Sequence, residues 1–407
     1  MAITYLNSNI IKMYYGGNAI TQAYLNGDHF LPIGEKPIIY GFAVDETVSD
    51  PYNAVTYIED SVNFTPATMT DGVFDGGSWL DVYPFNSVKP CVINSDGSLD
   101  SYLNPNNFLQ YEDGTDFYLS RRTMIEIPTV YWKFTKTTNG YEVRFSDTQI
   151  DSSYQALAHS RGDTLKGNLY IGAFEGTINN GILISRSNEN PTLSTTLSDF
   201  RAAANAVGSG FELMNFHSWT LLQILFVAMF KSLDSQSSLG YGISGNDYWK
   251  PTGTTVSNGM YYGTTADQTT GVKFMGIENI FGNTNTWLDG IHLGASNVYI
   301  SDNTSFSDDG YGYQYSVSTT NLNSTYGNMS SALGKNIGGF LATSANGSST
   351  TYYCDATLGY GAASTACLMR VGGSYTNTTE CGMFCSYSTG VGQTHAKTGA
   401  RLQYLAP

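Results

Sequence analysis

The chain has 407 residues, of which only 13% are charged, with 44 Gly, 30 Tyr and a formal net charge of −15. An acidic chain without a Lys/Arg stripe excludes a nucleic-acid partner and a flat anionic membrane, because nothing on it would neutralise phosphate. The length allows two or three units and a full core, and richness in Gly, Tyr, Asn, Ser and Thr points to short strands and long ordered loops.

Residues 1–31 carry an echo, IIKMYYGGNAI and then ITQAYLNGDHF. Each half is a β-like run with a two-residue turn, Gly16-Gly17 and Asn26-Gly27, and both pairs tolerate the positive φ of a type I′ hairpin. So small a module needs a partner or the next domain to rest on. The opening MAITYLNSN has neither the basic nor the apolar part of a secretory signal, so synthesis in a cytoplasm is expected.

From Ile38 the pattern stays β: IIYGFAV, NAVTYIEDSVNFTPA, KPCVINSDGSLDSYLNP and MIEIPTVYWKFTK, with a hairpin turn at Asp96-Gly97, then YEVRF and LYIGAFEG. Helix signals concentrate in 197–232. LSDFRAAANAV has an N-cap at Thr196 or Ser198 and stops by Gly208. In FELMNFHSWTLLQILFVAMFKSL, apolar residues from Leu221 to Phe230 recur at helical spacing. The run LLQILFVAMF is half a membrane span, so no insertion is expected. His217 at the start of this helix reads as a capping or core-edge residue sooner than a ligand. After Ser238, short apolar runs survive among Gly, Asn, Ser and Thr: VKFMGIENI, NVYISD, GGFLA, CLMRVGGSY and ARLQYL.

Signs of catalysis are missing. Gly334-Lys335-Asn336 lacks the frame of a phosphate loop, and neither a nucleophile elbow nor an H-E-x-x-H pair occurs. Glu59-Asp60, Glu112-Asp113 and Asp308-Asp309 are adjacent, so in a strand their side chains face opposite ways. The five cysteines, Cys91, Cys354, Cys367, Cys381 and Cys385, form neither a disulfide framework nor a zinc spacing.

Three segments together carry a resemblance. GIENIFGNTNTWLDGI (276–291), CLMRVGGSY and TGARLQYL resemble successive segments of the C-type-lectin-like fold shared with formylglycine-generating enzymes. The wider chain, roughly 38–407, resembles phage tail-fibre and receptor-binding proteins carrying that fold, including those diversified by retroelements in gut phages. The resemblance rests on YGFAVDETVSDPYNAVTYIEDSVNFTPA, VKPCVINSDGSLDSYLNP, MIEIPTVYWKF, LYIGAFEG and FELMNFHSWTLLQILFVAMF in that order. It implies an α+β fold: a β-rich N-terminal module, then two helices, a small twisted antiparallel sheet and long ordered loops. The implied units are 1–35 for virion attachment, 36–140 as a β-rich intermediate, and 141–407 as the lectin-like domain with a recognition surface near 370–400.

The enzyme branch of that family carries two cysteines soon after G-G-S-Y. Here Asn377 stands at the first and Cys381 lies one residue short of the second, so no enzyme is expected. Thr284, Asn285 and Thr286 replace the family's Val, Trp and Glu, so no cofactor is expected and structural calcium is unsupported by the motif. Trp219, Asn283, Trp287, Gly372, Gly373 and Arg401 are the implied scaffold residues. Tyr375, Asn377, Thr379, Tyr387 and His395 are the implied receptor contacts, with ordinary loop polars as the competing reading. Tyr14, Tyr15, Tyr24, Asn26 and Gly27 would dock on other virion proteins. The resemblance implies a phage virion adhesin, a trimer by analogy with fibres, with a host-surface glycan or protein as partner. The alternative is a purely structural virion subunit, such as a head fibre or tail component.

Overall fold

A computed structural model describes residues 36–117, 122–294, 296–302, 305–318, 322, 325–357 and 366–406, and the backbone of the N-terminal strands Ala2–Leu6, Asn9–Tyr15, Asn18–Ala19, Ala23–Leu25 and Asp28–Phe30. The pairs Tyr15↔Asn18 and Leu25↔Asp28 leave two-residue connections. Gly16-Gly17, Asn26 and Gly27 lie outside the described residues; Tyr14, Tyr15 and Tyr24 sit on the strands.

The remainder corrects the fold expected from sequence. The chain is mostly β, with 36% strand against 11% helix, and it is not an α+β C-type-lectin fold with two helices. Among the described residues, a four-stranded sheet runs in the order 131–136, 140–146, 40–45, 55–59. A seven-stranded sheet runs 107–111, 99–104, 89–93, 123–127, 169–172, 402–405, 211–213 and takes strands from both sides of residue 140. An eight-stranded sheet centres on 285–293, 367–372 and 382–390. The reason for the miss is local: these strands carry Gly, Asn, Ser and Thr on faces that sequence patterning assigns to loops.

Among the described residues, three α-helices serve the sheets. α1 (Leu197–Asn205) starts where Thr196 Oγ1 accepts from Asp199 N at 3.1 Å. α2 (Phe216–Phe230) is capped by Asn215 Oδ1, which accepts from Ser218 N at 3.0 Å, and it ends at Lys231 with φ 52°. Short α3 (Ser235–Leu239) follows. All fifteen residues of α2 are buried, so it is a central core rod with no outward face. Phe42 and Val44 of the four-stranded sheet, Ile125 and Ile171 of the seven-stranded sheet, and Leu288 and Met369 of the eight-stranded sheet share one core with Leu222, Leu225 and Phe226 of α2. α1 lies over a second cluster where Phe200 meets Trp287, Leu368 and Leu402.

Candidate recognition face

Residues 276–291 are buried throughout. The stretch is a tight hairpin, Lys273–Phe274 with Ile277–Glu278, followed by the long strand Asn285–Leu293. That strand is bulged: its register against 367–372 shifts between Trp287 and His292, where Gly290 takes φ 70°.

Burying so many polar groups requires partners for them. Glu175 accepts from Asn279 Nδ2 at 3.0 Å, from Asn283 Nδ2 at 2.5 Å and from Thr284 Oγ1. Asn283 also takes Lys250 N at 2.8 Å and gives to Lys250 O at 3.1 Å, fixing a loop with no ladder partner of its own. Glu278 accepts from the Gly253 and Thr255 amides at 2.6 and 2.7 Å. Asp289 receives both arms of Arg201, at 2.7 and 2.9 Å. Arg401 closes the network on the carbonyls of Gly172, Glu278 and Asn279. Trp219 and Trp287 are buried apolar weight within the same structure. Asn283 and Arg401 are joined through Asn279 and Glu175 in this buried polar mass, whereas Trp287 belongs to the cluster under α1 and Trp219 to the core around α2.

Above this mass sits the 374–380 loop. It leaves the 367–372 strand through Gly372 and Gly373, at φ 87° and 78°. A Cβ at Gly373 would lie 2.5 Å from Cys381 Sγ, so the turn needs glycine for both space and conformation. Asn377 then ties the loop. Its Oδ1 accepts from Ser374 N at 3.0 Å and Ser374 Oγ at 2.6 Å, and its Nδ2 donates to Tyr387 Oη at 3.0 Å and Glu380 Oε2 at 3.1 Å. Tyr387 donates to Glu380 Oε2 at 2.9 Å, and Tyr326 donates to Glu380 Oε1. Backbone bonds from Asn246 N to Tyr375 O at 2.7 Å and from Thr378 N to Ser244 O at 2.7 Å join the loop to the segment carrying Tyr248.

The expected contact residues divide on this geometry. Thr379 is exposed, while Tyr375, Asn377 and His395 are half-buried with part of each side chain open. Tyr387 is 7% exposed, because Gly382–Gly390 is a strand whose first six residues are buried, so Tyr387 backs the face and offers little surface to a partner. Sequence reading missed three members. Tyr248 and Tyr326 are exposed by 75% and 53%, and Arg370 lies 4.9 Å over the Tyr387 ring, donating to Thr389 Oγ1 at 2.9 Å. Tyrosine is too common in this chain to mark the first two. The available signal for Arg370 was scarcity: past Lys335 the chain has only Arg370, Lys397 and Arg401 as Lys or Arg. Lys397 stands 5.4 Å over the Tyr375 ring and donates to Thr376 Oγ1 at 2.6 Å. Burial, with Arg370 and Lys397 near it, pushes His395 down to about 4. Burial first, then nearby Cys385 and Glu380, drives the Tyr387 hydroxyl far above its ordinary value.

Two concavities lie away from this face. One of about 570 Å³ is lined by Asp50, Tyr52 and Asp234, and one of about 630 Å³ by Tyr102, Glu112 and Asp113. Asp50, Asp234 and Asp113 are spent capping their own loops, on Asn53, Ser237 and Thr115. No cluster of three or more metal-ligating side chains occurs among the described residues, and no described helix is long and apolar enough to cross a membrane.

No family model and no curated protein matches the chain. Among solved structures it is similar to one titled "Major Tropism Determinant M1 Variant", at 11% identity and a TM-score of 0.30, covering 95% of this chain and 79% of that one. A likeness at that level leaves function to be argued from the site.

Proposed function

We propose that the chain is a bacteriophage virion adhesin that binds a host-surface receptor through the face formed by Tyr248, Tyr326, Tyr375, Thr379, His395 and their neighbours. The observation that carries this reading is the contrast between the two layers. A fully buried stretch, 276–291, spends its polar groups on holding loops, while the loops it holds present aromatic and hydroxyl side chains outward. Tyrosine supplies contact area with few rotors to freeze, and Asn, Ser and Thr adapt to hydroxyl-rich or peptide partners. The ordered sequence resemblance to phage receptor-binding proteins supports the same reading, with the N-terminal strands as the virion-docking end. Several weak sites on one particle would give useful avidity.

The test uses the purified full chain, fluorescently labelled, on cells of the phage's host. Tyr375→Ala combined with Thr379→Ala should weaken cell binding by about tenfold or more while leaving the melting temperature in place. Unchanged cell binding would refute the assignment of this face. Loss of particle incorporation without loss of cell binding, on removing residues 1–31, is the expected signature of the docking end.

A further inference from the structure

The adhesin reading leaves a charge question open. This chain carries −15 overall, yet two cations flank the 374–380 loop: Arg370 lies on the ring of Tyr387, whose hydroxyl accepts from Asn377, and Lys397 lies on the Tyr375 ring while its amide donates to His395 Nδ1 at 3.3 Å. Among the described residues neither cation has a carboxylate within salt-bridge range; the acidic side chain of the 374–380 loop, Glu380, is engaged by Tyr326, Asn377 and Tyr387. Arg370 instead lies on the Tyr387 ring and Lys397 on the Tyr375 ring. Cation–π contact and single hydroxyl bonds orient such groups without neutralising them. His395 is held in place by Thr398 Oγ1 at 3.1 Å from Nδ1 and by its own carbonyl, which accepts from Ser194 N at 3.3 Å. Two cations and a neutral imidazole are thus ordered on rigid backing, and among the described residues no carboxylate pairs with either cation.

Resting on the adhesin reading, we propose that Arg370, His395 and Lys397 form a subsite for an anionic group carried on a saccharide, either a carboxylate or a phosphate, with the open part of the Tyr375 ring beside the sugar. Arg370 offers a planar fork and Lys397 a point charge, and both suit a multi-oxygen anion. In the free chain burial first, and then the two cations, disfavour a charge on His395. A bound anion offsets the cations' share and favours imidazolium, so His395 reports occupancy.

The experiment follows the His395 ring in full-length protein with isotope-labelled histidine, assigned by His395→Gln, on adding methyl glucuronide, glucose 6-phosphate or the neutral methyl glucoside. At least one anionic sugar should shift the His395 signal and raise its pKa by about one unit or more, while the glucoside does neither; which one succeeds separates carboxylate from phosphate. Lys397→Gln, at a half-buried position, should cut binding of that sugar and of host cells by about tenfold. An equal response to the glucoside, or none to either anion, overturns the subsite. Host cells bound through Tyr375 with no effect of Lys397→Gln would remove the subsite and keep the adhesin. Anion binding without any cell binding would remove the adhesin reading instead.

Discussion

Arg401→Leu should lower the unfolding free energy by about 3–5 kcal/mol, the usual cost of removing one partner from a buried charge network. Arg401 is 1% exposed. Its Nη1 donates to Gly172 O at 2.9 Å, and its Nη2 to Glu278 O at 2.8 Å and Asn279 O at 3.2 Å. One side chain thus joins the seven-stranded sheet to the hairpin that opens the buried stretch. Its charge also offsets Glu175, whose carboxyl is pushed up by burial and held back first by Arg401 and then by its three amide and hydroxyl donors. Leucine would leave three carbonyls bare and Glu175 without its counter-charge. Burial pulls Arg401 down to about 10, so it remains a cation at neutral pH. Arg401→Lys should recover little, because an ammonium lacks the fork that reaches carbonyls on two elements. Denaturant titration reads the result, and a loss under about 1 kcal/mol would mean the network is not what joins these elements.

His217→Leu should make the chain more acid-resistant. The imidazole is fully buried in the first turn of α2, and neither ring nitrogen has a hydrogen-bond partner among the described residues. Burial, with Arg161 nearby, holds it at about 3 against an ordinary 6.5. Between those values the unfolded chain takes up a proton that the folded chain refuses, so folded stability falls as pH drops through the window. The slope is about 1.4 kcal/mol per pH unit, or about 3 kcal/mol of wild-type stability lost by roughly pH 4.5. His159, held at about 4, acts with the same sign. Glu175, Asp289 and Asp355, all raised by burial, act in the opposite direction. The decisive quantity is therefore the difference between variant and wild type: small at pH 7, where an apolar side chain replaces an unpaired polar one, and growing in the variant's favour toward pH 4.5. A difference that stays flat with pH would contradict the burial of a neutral His217.

Much of the helical and strand layout was legible in the residues. Thr196 capped α1 because a β-hydroxyl precedes an amphipathic run, and the strands at 140–146, 169–172 and 402–405 announced themselves through aromatic and β-branched alternation. The overall class was not legible. α2 dominates the apolar signal although it is one rod, whereas Asn285–Leu293 and Gly382–Gly390 hide their strand character behind glycine, asparagine and serine. A bulge at Gly290 breaks the period of two that would have revealed the first of these. The 374–380 loop was legible as a loop, since Gly372 and Gly373 end the strand before it. The side chains around it were not: whether Tyr387 looks outward or inward depends on the pairing of 382–390 with 367–372, and only that register turns the ring under Arg370. Glu175, Lys250 and Arg201 lie far along the chain from 276–291, so no local pattern ties them to it.

A buried layer that holds and an outer layer proposed to bind can be told apart by one measurement. Every position of the full chain would be substituted and scored in parallel for folded yield and for host-cell binding. Substitutions within 276–291 and at Arg401 should lose both scores together, while those at Tyr248, Tyr375, Thr379 and Lys397 should lose binding alone. Binding-only losses concentrated on another surface, such as the groove beside Tyr52 and Asp234, would contradict this expectation.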